Sequence, residues 1–218
     1  MPVRKIPKNY LVTTGRLARG SGNQPVGWEG RLEQDYYILL HDDPTVESFE
    51  AQPVRVPVPK ARRYTPDVLV RFRPDQDGAL RPPELTEVKL STHFKKYEEK
   101  YAARFAAATA FAEERGWKFV KKDETHIRTA RLHVAYFLRG YRRHTPTEEQ
   151  RDRLLQGLRD LGGRSTSEQL LARIASDDGD LQALAPSLWS MVRTNAIAMD
   201  KEVPLAPDVP LWLPGHVK

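Results

Sequence analysis

The apolar positions of this chain change period along its length, and each change marks an element. Trp28, Leu32, Tyr36 and Leu39 or Leu40 recur every three to four residues, which predicts a helix over 28–40 with one apolar face. Asp43-Pro44 closes it. Over 46–59 the pattern turns strand-like. Val54, Val56 and Val58 alternate with Arg55 and Pro57, and the prolines place the segment at a sheet edge. Residues 68–72 form a nearly continuous apolar run, the mark of a buried strand. Asp75-Gln76-Asp77-Gly78 predicts a turn, and 84–90 the returning strand of a hairpin.

The longest stripe comprises Phe94, Tyr97, Tyr101, Phe105, Ala108 and Phe111 or Ala112. It predicts a helix over 92–115 that Gly116 ends. A short strand over 117–120 follows, parallel to 84–90 through this crossover helix. A helix over 130–141 carries Leu132, Ala135, Tyr136, Phe137 and Leu138. Thr145-Pro146-Thr147 then resets the pattern, and a domain boundary is predicted there.

Beyond it, 148–161 reads as a helix ended by Gly162-Gly163. Ser165-Thr166-Ser167-Glu168 is a capping box opening a short helix, and 180–193 a third helix with Leu184, Leu188 and Met191 inward. Residues 196–199 and 211–213 pair around the proline-rich 203–210. Three helices and a hairpin in this order read as a winged helix. The expected fold class is α/β: a mixed sheet flanked by helices, then a small winged-helix domain. The expected layout is a basic flexible arm over 1–27, a main domain over 28–144 and the small domain over 145–218.

Composition narrows the function. The net charge is +6, which favours an anionic partner. Thirteen lysines and arginines face six acids between Lys95 and Arg143. Cysteine is absent, so disulfides, thiolate metal sites and cysteine nucleophiles are excluded, and a reducing cytoplasm is expected. No apolar run is long enough to span a bilayer, so no membrane partner is expected. The segment Gly15–Gly22 lacks the Gly-Lys-Ser/Thr of a phosphate loop. The six histidines show no metal-ligand spacing. His126 and His133, seven apart, fit structural roles on one helix face.

The chemistry concentrates on two strands. Asp67 opens the run 68–72, and Glu87-Val88-Lys89 closes the run 84–90. A turn centred near Gly78 sets Asp67 opposite Val88 or Lys89, and Glu87 and Lys89 share one strand face. Phosphodiester cleavage needs a metal that polarises the phosphate and an activated water in line with the leaving oxygen. Asp67 and Glu87 are hard ligands, and the Val88 carbonyl completes a magnesium site that keeps several waters. Lys89 can orient the water or offset developing charge. Glu33 can add a carboxylate to a second metal. Arg62, Arg63, Lys95 and Lys96 flank these residues and can grip DNA phosphates. Asp…Glu-x-Lys alone is equally compatible with a turn acid and a surface ion pair.

A wider set of residues is more specific. Trp28-Glu29-Gly30-Arg31-Leu32-Glu33-Gln34-Asp35-Tyr36 is followed by Asp43-Pro44-Thr45-Val46 and Phe49-Glu50-Ala51-Gln52-Pro53. Arg63-Tyr64-Thr65-Pro66-Asp67 and Glu87-Val88-Lys89 complete it. This ordered set resembles the TnsA-type endonuclease subunit of heteromeric cut-and-paste transposases. The resemblance implies a restriction-endonuclease-like core and Mg2+-dependent cutting of the non-transferred strand at the 5′ transposon ends. Mn2+ is expected to substitute, and two ions are expected. It implies catalytic roles for Glu33, Asp67, Glu87 and Lys89, with Glu33, Asp67, Glu87 and Val88 at the metal. Some family members carry Gln at the position of Glu87. The implied partners are double-stranded DNA at transposon ends, an integrase-like transposase subunit and an AAA ATPase regulator. The implied place is the bacterial cytoplasm, at the nucleoid during transposition. A catalytically silent DNA- or protein-binding scaffold and a free-standing restriction or repair nuclease are the competing readings.

Overall fold

The computed structural model describes residues 14–17, 26–59 and 63–215. Two compact units divide the chain, Met1–Arg128 and Thr129–Lys218. The division falls sixteen residues before the expected boundary at Thr145.

The first unit begins with β1 (Thr14–Leu17) paired antiparallel to β2 (Val26–Glu29). Part of the expected arm is therefore a strand pair, and the rest of it lies outside the described residues. Trp28 belongs to β2 and not to the helix, because Gly30 at φ 101° turns the chain before α1 (Arg31–Asp42) begins. Leu32, Tyr36, Tyr37, Ile38 and Leu40 of α1 are buried. Asp43 caps the far end, its carboxylate accepting from the Thr45 N–H and hydroxyl at 2.9 and 2.7 Å.

Four strands follow as one sheet: β3 (Val46–Ala51), β4 (Val68–Phe72), β5 (Glu84–Val88) and β6 (Lys118–Lys122). The order is β3-β4-β5-β6, antiparallel twice and then parallel. Strand β3 ends at Gln52, which turns at φ 47°, so the proline-spaced valines after it lie outside β3. Val56 keeps one bridge to Tyr64. All five residues of β5 are buried, as a central strand covered on both faces requires.

The crossover from β5 to β6 is two helices, α2 (Ser91–Lys96) and α3 (Glu98–Glu113), broken at Tyr97 where ψ is 26°. A single helix was expected. The stripe is also buried only at its C-terminal end. Ala108 and Ala112 are inside, and Phe94, Tyr97, Tyr101 and Phe105 are half-buried. Ala112 packs with Leu69 and Leu85 in one core cluster, while Tyr37 of α1 packs its ring 5.5 Å from Phe49 of β3. Gly116 at φ 68° ends the crossover, as expected. Helix α4 (Glu124–Ile127) closes the unit, and its Glu124 carboxylate accepts from Ser91 N at 2.7 Å and from the Ser91 hydroxyl, tying it to the start of α2.

The second unit starts with α5 (Ala130–Arg139), whose Val134 and Leu138 join its core, which is why the division precedes Thr145. Helix α6 (Glu148–Asp160), β7 (Arg164–Thr166), α7 (Ser167–Ile174), α8 (Asp178–Arg193), β8 (Ala198–Met199) and β9 (Pro210–Trp212) follow. Strand order is β7-β9-β8, all antiparallel. The predicted hairpin is present as Met199↔Leu211. Strand β7 is not expected from the sequence pattern, because Ser165 and Thr166 fall within the expected capping box. The capping box itself runs from Thr166 to Gln169, one residue along from the expected position. Leu184, Leu188 and Met191 are buried as predicted.

Candidate active site

Asp67 stands just before β4, and β4 pairs with β5 through Val68↔Thr86, Leu69↔Leu85 and Val70↔Glu84. One step further along this register, Asp67 faces Glu87 and not Val88 or Lys89. The register is centred on Asp77. Gly78 is the last turn residue, its N–H donating to the Asp75 carbonyl at 3.0 Å, and not the turn centre. Convergence survives the shift because Glu87 and Lys89 share a strand face.

The Lys89 ammonium forms an ion pair with Glu87 Oε1 and lies 3.9 Å from Asp67 Oδ2. The Val88 N–H donates to Asp67 Oδ2 at 2.7 Å. The backbone of Asp67 is held too. Its N–H donates to the Thr86 carbonyl at 3.0 Å, and its carbonyl accepts from Gln52 N at 2.7 Å and the Tyr37 hydroxyl at 3.4 Å.

Tyr64 is a member of this constellation that residue spacing did not reveal. Its hydroxyl donates to Glu87 Oε2 at 2.5 Å. The bridge between Val56 and Tyr64 fixes its backbone, and that pairing is invisible to local periodicity. The only sequence signal was its place in the Tyr-Thr-Pro-Asp segment.

Glu33 occupies the first turn of α1, and its Oε2 accepts from the Glu29 N–H at 2.9 Å. Burial pushes its carboxyl up to about 7, with Glu29 and Glu87 adding to the rise against the Glu29 hydrogen bond and Lys89. Burial, then Glu87, holds the Asp67 carboxyl well above the usual carboxylate range. Burial by itself would lower the Lys89 ammonium, but Asp67 and Glu87 outweigh it and hold the group above its ordinary value. Lys89 is therefore a cation set beside two buried carboxylates.

Among the described residues, no three His, Asp or Glu side chains are grouped closely enough to hold a metal. Glu33, from α1, lies within electrostatic reach of Asp67, Glu87 and Lys89. The pair of Asp67 and Glu87 suits a hard divalent cation. Two buried carboxylates lie together, burial and then Glu87 disfavour the charged form of Asp67, and a cation already compensates them. With the Val88 carbonyl and water they can furnish a magnesium site.

Arg63, Lys95 and Lys96 are exposed, as phosphate contacts require, and Arg62 lies outside the described residues. His126 and His133 do not share a helix. His126 is in α4, its Nδ1 2.7 Å from Asp123 Oδ1, and His133 is in α5.

Residues 43–124 match the family model described as TnsA-like endonuclease N terminal. Over these residues the chain is similar to a TnsA-like endonuclease domain. That domain supports a DNA endonuclease of the Tn7-like transposase type, as the residue pattern implied. The matched segment of this TnsA-like domain contains Asp67, Glu87 and Lys89 and omits Glu33. No curated protein matches the chain. Among the described residues, no helix is long and apolar enough to cross a membrane.

Proposed function

We propose that this chain is the metal-dependent endonuclease subunit of a heteromeric transposase, cutting the non-transferred strand at the 5′ ends of the transposon. The observation that carries the reading is the Lys89 ammonium set beside the buried carboxylates of Asp67 and Glu87 within a TnsA-like domain. Asp67, Glu87 and the Val88 carbonyl would hold Mg2+, with Mn2+ able to replace it. When bound, the ion supplies Lewis-acid polarisation of the scissile phosphate. Lys89 orients the attacking water and offsets charge that develops on the phosphate. Tyr64 fixes the direction of Glu87. Glu33, pushed up to about 7, is suited to accepting a proton near neutral pH, and its carboxylate would serve a second ion.

The second unit supports a partner-binding winged helix. After α5 its elements run α6-β7-α7-α8-β8-β9, three further helices with a three-stranded sheet. Over Thr129–Lys218 eleven acids face twelve lysines and arginines, so the unit carries no strong basic excess, which favours protein contact over DNA reading. The partners proposed for it are an AAA ATPase regulator and an integrase-like transposase subunit. Double-stranded transposon-end DNA is the substrate, met at the bacterial nucleoid.

The test is nicking of donor DNA by Asp67→Ala in the presence of partner subunits and Mg2+. Loss of nicking is expected, and undiminished nicking overturns the reading. A silent scaffold is favoured by one observation, that among the described residues no three metal-ligating side chains are grouped. Calorimetric titration with Mn2+ separates the two, since a scaffold shows no binding that depends on Asp67.

A further inference from the structure

The N-terminal half of the longest apolar stripe in this chain is not enclosed in the core, although Phe105 packs against its edge. Phe94, Tyr97, Tyr101 and Phe105 remain half-buried, while the same stripe is fully inside at Ala108 and Ala112. These rings associate with one another. Tyr101 stacks on Phe105 at 5.3 Å and 20°, and Phe94 meets Phe105 edge-on at 5.9 Å. Phe94, Phe105, Lys95, Glu98, Ala102 and Lys121 line a cleft of about 350 Å3.

Cations stand over the rings. Lys121 lies 5.8 Å from the Phe94 ring and 5.7 Å from that of Phe105, and Arg104 lies 5.9 Å from Tyr101. Lys89 also lies 5.9 Å from the Tyr101 ring. The cleft thus connects to the catalytic lysine through two rings, Phe105 and Tyr101. Along 95–104 and at 121 there are five cations and two acids, Glu98 and Glu99.

A face that pairs π surfaces with ammonium and guanidinium groups matches the two parts of a nucleotide. The ring takes a base by stacking, and the cation takes its phosphate. Paired bases are already stacked within a duplex and offer their faces to no protein ring, so this face suits a base out of the helix. We propose that the α2–α3–β6 face is a stacking site for an unpaired nucleotide of the strand being cut. The site lies beside Lys89 and holds that strand while its backbone enters the carboxylate pair. This rests on the nuclease reading for its place in the reaction, but the binding itself does not depend on cutting.

The test measures full-length protein in EDTA, binding a fluorescent single-stranded oligonucleotide that carries 2-aminopurine. A matched strand with abasic sites keeps the phosphates and removes the bases. Wild type is expected to quench 2-aminopurine and to prefer the base-bearing strand by about tenfold. Phe94→Leu/Tyr101→Leu keeps apolar bulk without rings. It should lose the quench and the preference, while Phe94→Tyr/Tyr101→Phe should keep both. Lys121→Gln should weaken both strands alike. Equal wild-type binding of the two strands, or a preference that survives in the leucine pair, overturns the proposal. Asp67→Ala should bind like wild type, so loss of stacking and loss of nuclease function are read separately.

Discussion

The Tyr64 hydroxyl donates a 2.5 Å hydrogen bond to Glu87 Oε2, across 23 residues of sequence and from outside both strands of the hairpin. The other oxygen of Glu87 faces Lys89. Glu87 is thus gripped from two sides by groups that come from separate parts of the chain. Its direction is set before any metal or DNA arrives, which is the pre-organisation that a metal-binding carboxylate needs.

Tyr64→Phe removes that donor and leaves the ring in place. A hydrogen bond to a buried charged group is worth about 1.5–3 kcal/mol, and the variant should lose stability on that order in denaturant unfolding. Weaker Mn2+ binding is expected by about 10- to 100-fold, measured by calorimetry. Unchanged metal affinity would show that Tyr64 serves packing only.

Asp67→Asn should separate stability from function. The ionised Asp67 is disfavoured by burial and by Glu87, so its neutral isostere should stabilise the metal-free protein near neutral pH, by about 1 kcal/mol. Mg2+ at ten times its dissociation constant should stabilise wild type by about 1.4 kcal/mol and leave the variant unchanged. Thermal melting with and without Mg2+ reads both. Donor-DNA nicking by the variant should fall at least about 100-fold.

Glu33 makes stability depend on pH in a definite direction. Its folded pKa, about 7, lies above the ordinary 4.5, so between those values the folded state holds a proton that the unfolded state has released. Its contribution is fully present below pH 4.5 and is lost as pH rises through 7. Glu33→Gln should flatten that fall. Urea midpoints at pH 5, 6, 7 and 8 check it, and parallel pH profiles for the two proteins would refute it.

Gly157→Ala tests the packing of the second unit. A Cβ there would lie 2.4 Å from Ile174 Cγ2 and 3.2 Å from Leu170 Cδ1, so α6 and α7 would have to part. Overpacking outweighs the gain in helix propensity, and a net loss of about 1–2 kcal/mol is expected in thermal unfolding.

The local pattern was a good guide wherever one element decides its own form. The hairpin of β4 and β5, the parallel crossover to β6, the glycine stop at Gly116 and the inward Leu184, Leu188 and Met191 all follow from spacing and turn chemistry. Spacing misled where the backbone departs from its period. Gly30 separates Trp28 from α1, and Tyr97 splits the crossover helix, although the apolar spacing in the sequence runs on through both. A hydrophobic period also cannot say how deep a stripe lies. Phe94 to Phe105 look like core in sequence and prove half-exposed.

The sequence by itself determined which chemistry this protein carries: Asp67, Glu87 and Lys89 sit on two consecutive strands that pair antiparallel. A two-residue period and direct succession in the chain leave little freedom, so local rules suffice. The tertiary structure alone decided the remaining partners. It set Tyr64 on Glu87, put Glu33 on the Glu29 amide within electrostatic reach of Glu87 and Lys89, and moved α5 into the second unit. Those relations join segments distant in sequence or depend on how helices lie against the sheet. No local period encodes them, because they are fixed by which surfaces the whole chain buries together.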